Sequence, residues 1–100
     1  MEIYYLEIST RTDKKLMVKR YYPTEGKTIH FGGQGCSDYP EHKDETRKER
    51  YLKRHEKNED WGKSGIDTSG WWARWLLWNK PSLEDSIKNI QRRFNIKIIY

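Results

Sequence analysis

A chain of 100 residues carries 34% hydrophobic residues, five Trp, seven Tyr and a formal net charge of +5 at pH 7. That length supports a single small domain over residues 1–100 and excludes a two-domain enzyme or a large catalytic scaffold. The longest uncharged apolar run, Trp75 to Trp78, falls far short of the ~20 residues of a membrane span, and the basic balance suits an acidic partner.

Ile3 to Ile8 is dense in β-branched and aromatic residues, which predicts a strand. Lys15 to Tyr22 predicts a second, after a polar turn at Thr10 to Lys14. Pro23 ends it, since proline has no N–H for a ladder. Lys27 to Phe31 predicts a third short strand. The FGGQG stretch at 31–35 then breaks regular structure, most simply as a turn with positive φ at glycine.

From Glu41 to Asp60, fourteen of twenty residues are charged, seven of each sign. Asp44 precedes Lys48 and Glu49 precedes Lys53 at the i, i+4 spacing of an exposed helix. Only Tyr51 and Leu52 offer apolar contact, with His55 beside them, so this helix is expected on the surface or bridging between bodies. Thr68 or Ser69 caps a helix through WWARWLLW, stopped by Asn79 and Pro81. Ser82 and Asp85 resemble a capping box. Leu83, Ile87, Ile90 and Phe94 then recur on one helical face, expected against Tyr4, Leu6 and Ile8. Asn95 to Tyr100 alternates as a last strand. The fold class is α+β: a small N-terminal antiparallel hairpin or three-strand sheet, three helices and a short C-terminal strand.

Cys36 is the single cysteine, so no internal disulfide forms and a reducing compartment is expected. The N-terminal stretch lacks the charged flank and long apolar run of a secretory signal. His30, Cys36, His42 and His55 are too widely spaced for a structural zinc site. Asp38, Asp44, Glu45 and Glu49 are explained by chance placement in a charged segment. Ser64, Ser69 and Ser82 sit in no nucleophile motif. No catalytic residue, metal or cofactor is expected.

The tryptophan segment is the strongest local signal. On an α-helix, Trp71, Trp75 and Trp78 share a face that Trp72 and Leu76 widen, and Arg74 is the one charge. So few aliphatics can hardly cover four indoles. Trp71, Trp72, Arg74, Trp75 and Trp78 are therefore expected to bind a partner, with at least one Trp exposed in the isolated chain and a tendency to self-associate. Two basic clusters stand apart: Arg11, Lys14, Lys15, Lys19 and Arg20, and Lys88, Arg92, Arg93 and Lys97. They meet on one anion-facing surface if the last strand joins the N-terminal hairpin.

The stretch Lys27 to Ile87 holds a Gly-rich FG turn, Phe31–Gly32, then Asp38, Tyr39, His42 and Asp44. Arg47, Lys48, Arg50, Tyr51, Arg54 and His55 follow, and after them Glu59, Trp61, Gly70 and Arg74. It closes on Leu77, Trp78, Asn79, Lys80 and Pro81. This pattern resembles a small family encoded by large nucleocytoplasmic DNA viruses. The resemblance implies a viral origin and a virion component made in the host cytoplasm. The combined expectation is a non-enzymatic virion structural protein, a minor capsid or capsid-associated component bridging larger capsid subunits through the Trp-rich and charged helices. The alternative is a basic nucleic-acid-binding or genome-packaging protein that uses the two basic clusters.

Overall fold

Alternation in the first strand sets the architecture. In the computed structural model, which describes residues 1–100, β1 (Glu2–Ile8) pairs antiparallel with β2 (Lys14–Tyr22), Leu6 opposite Val18. β3 (Thr28–Gly33) continues the antiparallel ladder on the far side of β2, Phe31 opposite Leu16. β4 (Ile96–Ile99) lies parallel to β1, Tyr4 opposite Ile98. The result is one mixed sheet in the order β3-β2-β1-β4. Period-two alternation turns Tyr4, Leu6, Val18, Ile29, Phe31, Ile96 and Ile98 to one face, and all are buried. The other face is uncovered, and on it Tyr5 and Tyr21 stack with centroids 4.4 Å apart.

The helices follow their caps. α1 is a single turn, Tyr39–His42. Asp44 opens α2 (Glu45–His55) by accepting from the Thr46 and Arg47 amides at 2.9 and 3.2 Å. Thr68 caps α3 (Ser69–Trp72), which runs directly into a π-helical turn at Ala73–Leu77. Ser82 accepts from the Asp85 amide at 3.1 Å and opens α4 (Leu83–Phe94). The domain is α+β, with the three expected helices plus the short α1 and a 3₁₀ turn at Lys63–Gly65. The expected pairs Asp44–Lys48 and Glu49–Lys53 do not form. Asp44 is engaged as the cap, and Lys48 Nζ donates to the Asn79 carbonyl at 2.6 Å.

Ile87 and Ile90 of α4 enter the core with Tyr4 and Leu6, and Leu83 and Phe94 pack at its margin. Ile8, expected in the same contact, is 80% exposed. β4 flanks β1 only as far as Tyr5, so the end of β1 has β2 on one side and no strand on the other.

Trp71, Trp72 and Trp75 are buried and Trp78 is half-buried, so none presents the open indole expected from the sequence. The cover comes from aromatic and backbone groups as well as from the aliphatic side chains of the shared core. The segment 61–66 wraps the helix, and its carbonyls take all three inner indoles: Trp71 Nε1 donates to Gly62 at 2.8 Å, Trp72 Nε1 to Ile66 at 2.7 Å and Trp75 Nε1 to Trp61 at 2.9 Å. Tyr4 meets Trp72 at 5.1 Å, and Phe94 meets Trp71 at 4.8 Å and Trp75 at 5.1 Å. Such tilted aromatic pairs add to area burial. Arg74 covers Trp75 from 4.3 Å and Arg93 from 4.7 Å.

Because Ile87 is 1% exposed at the centre of this packing, Ile87→Ala is expected to cost about 2–5 kcal/mol of stability. Urea unfolding of the two proteins checks this. A loss below about 0.5 kcal/mol would be no more than an ordinary surface change and would contradict the packing described.

Candidate functional site

The charge of α2 is segregated. A helix advances about 100° per residue, so Arg47, Arg50 and Arg54 share a face with Tyr51, while Glu45, Glu49 and Glu56 fall on the opposite side. Tyr51 holds that basic face in place. Its ring stacks on Trp78 with centroids 4.3 Å apart and planes 4° from parallel. Trp78 also meets His42 at 5.4 Å and Tyr51 meets His55 at 4.4 Å, making a series His42–Trp78–Tyr51–His55. Lys48, over the Tyr39 ring at 4.9 Å, ties the same helix down at its other side.

Beneath the basic face lies a cleft of about 640 Å³, bounded by α2, the β2–β3 end of the sheet and the Trp helix. That volume is in the range of small-molecule sites. Lys14, Lys15, Arg47, Arg50 and Arg54 line it, with Tyr51, His55 and Trp78 among its aromatic walls and Asp38 and Glu59 as its acids.

Lys15 is already satisfied. Its Nζ lies 2.8 Å from Asp38 and 3.3 Å from Glu41, and it donates to the Cys36 carbonyl. Burial pulls its pKa down, but the two carboxylates outweigh that and leave it raised. Arg47 donates to Ser37 Oγ at 3.0 Å. Lys14, Arg47, Arg50 and Arg54 have no carboxylate within 4.0 Å. The cleft therefore carries a surplus of cations available to an anion.

Two glycines shape its walls. Gly32 has φ +78°, and a Cβ there would stand 2.8 Å from Leu77 Cδ1. Only glycine lets the end of β3 cross the Trp helix so closely. At Gly70, a Cβ would collide with the Glu59 carboxylate, which rests against that backbone.

The two basic clusters expected from the sequence do not meet. β1 stands between β2 and β4, while Lys88, Arg92 and Arg93 belong to α4. Several of their charges are also paired: Arg11 with Asp13 at 2.8 Å, Lys19 with Glu25, and Lys88 with Glu84 at 3.5 Å. Arg20 donates to the Thr24 carbonyl at 3.1 Å, Arg93 lies over Trp75, and Lys97 is exposed on β4. From the first cluster only Lys14 and Lys15 reach the cleft.

Of the expected tryptophan-helix site, Trp78 alone lines the cleft. Arg74 belongs to the packing around Trp75. It donates to the Trp78 carbonyl at 2.9 Å, and burial, followed by the nearby Arg93 charge, pushes its pKa down to about 10. The remaining candidates have local partners. His30 Nδ1 bonds Ser9 Oγ at 2.7 Å, His42 Nδ1 accepts from the Asp44 amide at 2.9 Å, and Glu45 accepts from the Tyr39 hydroxyl at 2.6 Å. No group of three or more His, Cys, Asp or Glu is placed to hold a metal ion, and no helix is long and apolar enough to cross a membrane. Arg47, Arg50, Arg54 and Glu59 were not singled out as a binding site from the sequence. The arginine spacing 47, 50, 54 was the available signal.

Fold and cleft together define a small α+β domain with an arginine-faced cleft. The chain belongs to a family of unknown function, DUF5754, which residues 4–55 match. That span runs from β1 to the end of α2 and includes every cation of the cleft. No curated protein and no solved structure matches the chain significantly.

The packing around the cleft has a pH signature. Burial above all, with the Glu2 charge behind it for Tyr4 and the Glu59 charge for Tyr51, pushes both phenols up to about 12. An unfolded phenol ionises near ~10. The folded chain thus keeps protons that the unfolded chain releases. Stability is expected to be full below about pH 10 and to fall by roughly 1–3 kcal/mol on rising through pH 12. The raised Lys15 acts in the same direction. Urea midpoints measured across this range check it, and Tyr51→Phe is expected to flatten the decline.

Proposed function

We propose that this protein is a non-enzymatic nucleic-acid-binding protein that receives a single strand in the cleft between α2 and the β2–β3 end of the sheet. The observation that carries this is the set of cations without a carboxylate partner, Lys14, Arg47, Arg50 and Arg54, that line one cavity. Guanidinium groups match phosphate oxygens with forked donors, and the three of α2 span about 10 Å along the helix, enough for more than one phosphate. Aromatic walls beside them suit unstacked bases, which a single strand offers and a duplex does not. The expected tryptophan anchor for bridging capsid subunits lends less support, since three of its indoles face the domain's own interior.

Fluorescence anisotropy with a labelled single-stranded oligonucleotide tests the proposal. With three to four phosphate contacts, log affinity is expected to fall against log salt with a slope of roughly −2 to −3. Arg50→Gln with Arg54→Gln is expected to make that slope shallower by roughly one and to weaken binding at least about tenfold. Absence of binding at low salt, or binding indifferent to salt, would refute it.

A second reading retains the virion structural role. It rests on the uncovered sheet face, where Tyr5 and Tyr21 are 42% and 41% exposed. Detection of the chain in purified particles, lost on Tyr5→Ser with Tyr21→Ser, would support that role.

A further inference from the structure

Glu59 stands apart from the other groups of the cleft. It lines the wall among unpaired cations, yet it has no cation within 4.0 Å and its carboxylate accepts no hydrogen bond. Shape rather than charge holds it, because it lies against the bare backbone of Gly70. Tyr51 lines the same cleft. Tyr51 in turn belongs to the ring series that ends at His55, and His55 also lines the cleft.

A half-buried carboxylate without a protein donor and the exposed guanidiniums of Arg50 and Arg54, free of any carboxylate, line one cleft, so it offers groups of both signs to a ligand. One small ligand satisfies both if it carries anionic oxygens and N–H donors on the same frame. A nucleotide does. Among the bases, guanine alone presents two adjacent N–H groups, N1–H and the 2-amino group, to the two oxygens of a carboxylate. Adenine and cytosine offer an amino group beside an acceptor nitrogen, and uracil offers one N–H between two carbonyls.

We infer that the cleft selects a guanine within the bound strand, Glu59 accepting from N1–H and the 2-amino group while Arg50 and Arg54 hold the adjoining phosphate. The base lies at the His55 end of the ring series. This rests on the single-strand binding proposed above and adds a base preference to it.

The test uses the full chain and four probes: guanosine, inosine and adenosine 5′-monophosphates and ribose 5-phosphate, titrated by NMR. Inosine monophosphate differs from guanosine monophosphate only in lacking the 2-amino group, so the comparison needs no altered protein. Guanosine monophosphate is expected to bind at least about fivefold tighter than either of the other two nucleotides, in line with one good bidentate base contact. Glu59→Gln is expected to bring its affinity to within about twofold of the inosine compound, since an amide can accept only one of the two N–H groups. Equal binding of guanosine and inosine monophosphates to the unaltered chain overturns the guanine assignment. In that case, continued binding of ribose 5-phosphate leaves the cationic cleft standing. If neither the phosphate probes nor a single-stranded oligonucleotide binds, the cleft reading itself has failed.

Discussion

Three indole N–H groups donating to the carbonyls of one wrapped segment hold this domain together. A buried N–H without an acceptor costs about 1–3 kcal/mol, and a carbonyl stranded in a loop has the same need. Trp71, Trp72 and Trp75 supply donors, and Gly62, Ile66 and Trp61 supply acceptors. Each set satisfies the other, so a largely polar loop that adds one buried aliphatic side chain, Ile66, can cover an aromatic helix. The position of Trp78 at the end of that helix follows. Tyr51 stacks on Trp78, α2 settles through Tyr51, and the arginine face of α2 then closes one side of the cleft. The arginine face is thus three contacts removed from the bonds that fix it.

Much of the fold was legible because its signals are local. Alternation marked β1 and β2, and Thr68 and Ser82 marked helix starts through hydrogen bonds made within three residues. What was not legible depends on distant partners. Nothing within Ile96–Ile99 says that it joins β1 in parallel, since that register is set across the whole chain. The π-helical turn at Ala73–Leu77 follows an α-helical pattern in sequence and departs from it under tertiary packing. The tryptophans are less exposed than the sequence predicts for a related reason. Counting aliphatic residues omits the cover provided by Phe94, by the two arginines over Trp75 and by backbone carbonyls.

The cleft was partly written in the sequence, and averaging concealed it. Seven charges of each sign between Glu41 and Asp60 sum to zero, which suggests an indifferent, solvated helix. Helical projection separates the arginines of α2, on the Tyr51 side, from its glutamates behind, while Lys53 falls beside Glu49. By contrast, the two clusters that looked basic in linear windows are dispersed by strand order and spent in local pairs. Net charge within a window is a poor guide when folding sorts the same residues onto opposite faces. Glu59 illustrates a further limit. It is one acid among seven in that segment, and only its placement against Gly70, in a cationic cleft yet with no ion pair, distinguishes it.

The separation of charge across α2 also gives the domain a moment perpendicular to that helix axis. Near a polyanion, within the ~8 Å over which physiological salt leaves charges visible to one another, such a moment exerts a torque before any contact forms. The cleft turns toward the negative body and the Glu45–Glu49–Glu56 side turns away. That trailing acidic side repels a second strand arriving from behind. Under the single-strand reading proposed above, a bound domain is accordingly restricted to one strand in one orientation, and it would coat a polyanion rather than cross-link two of them.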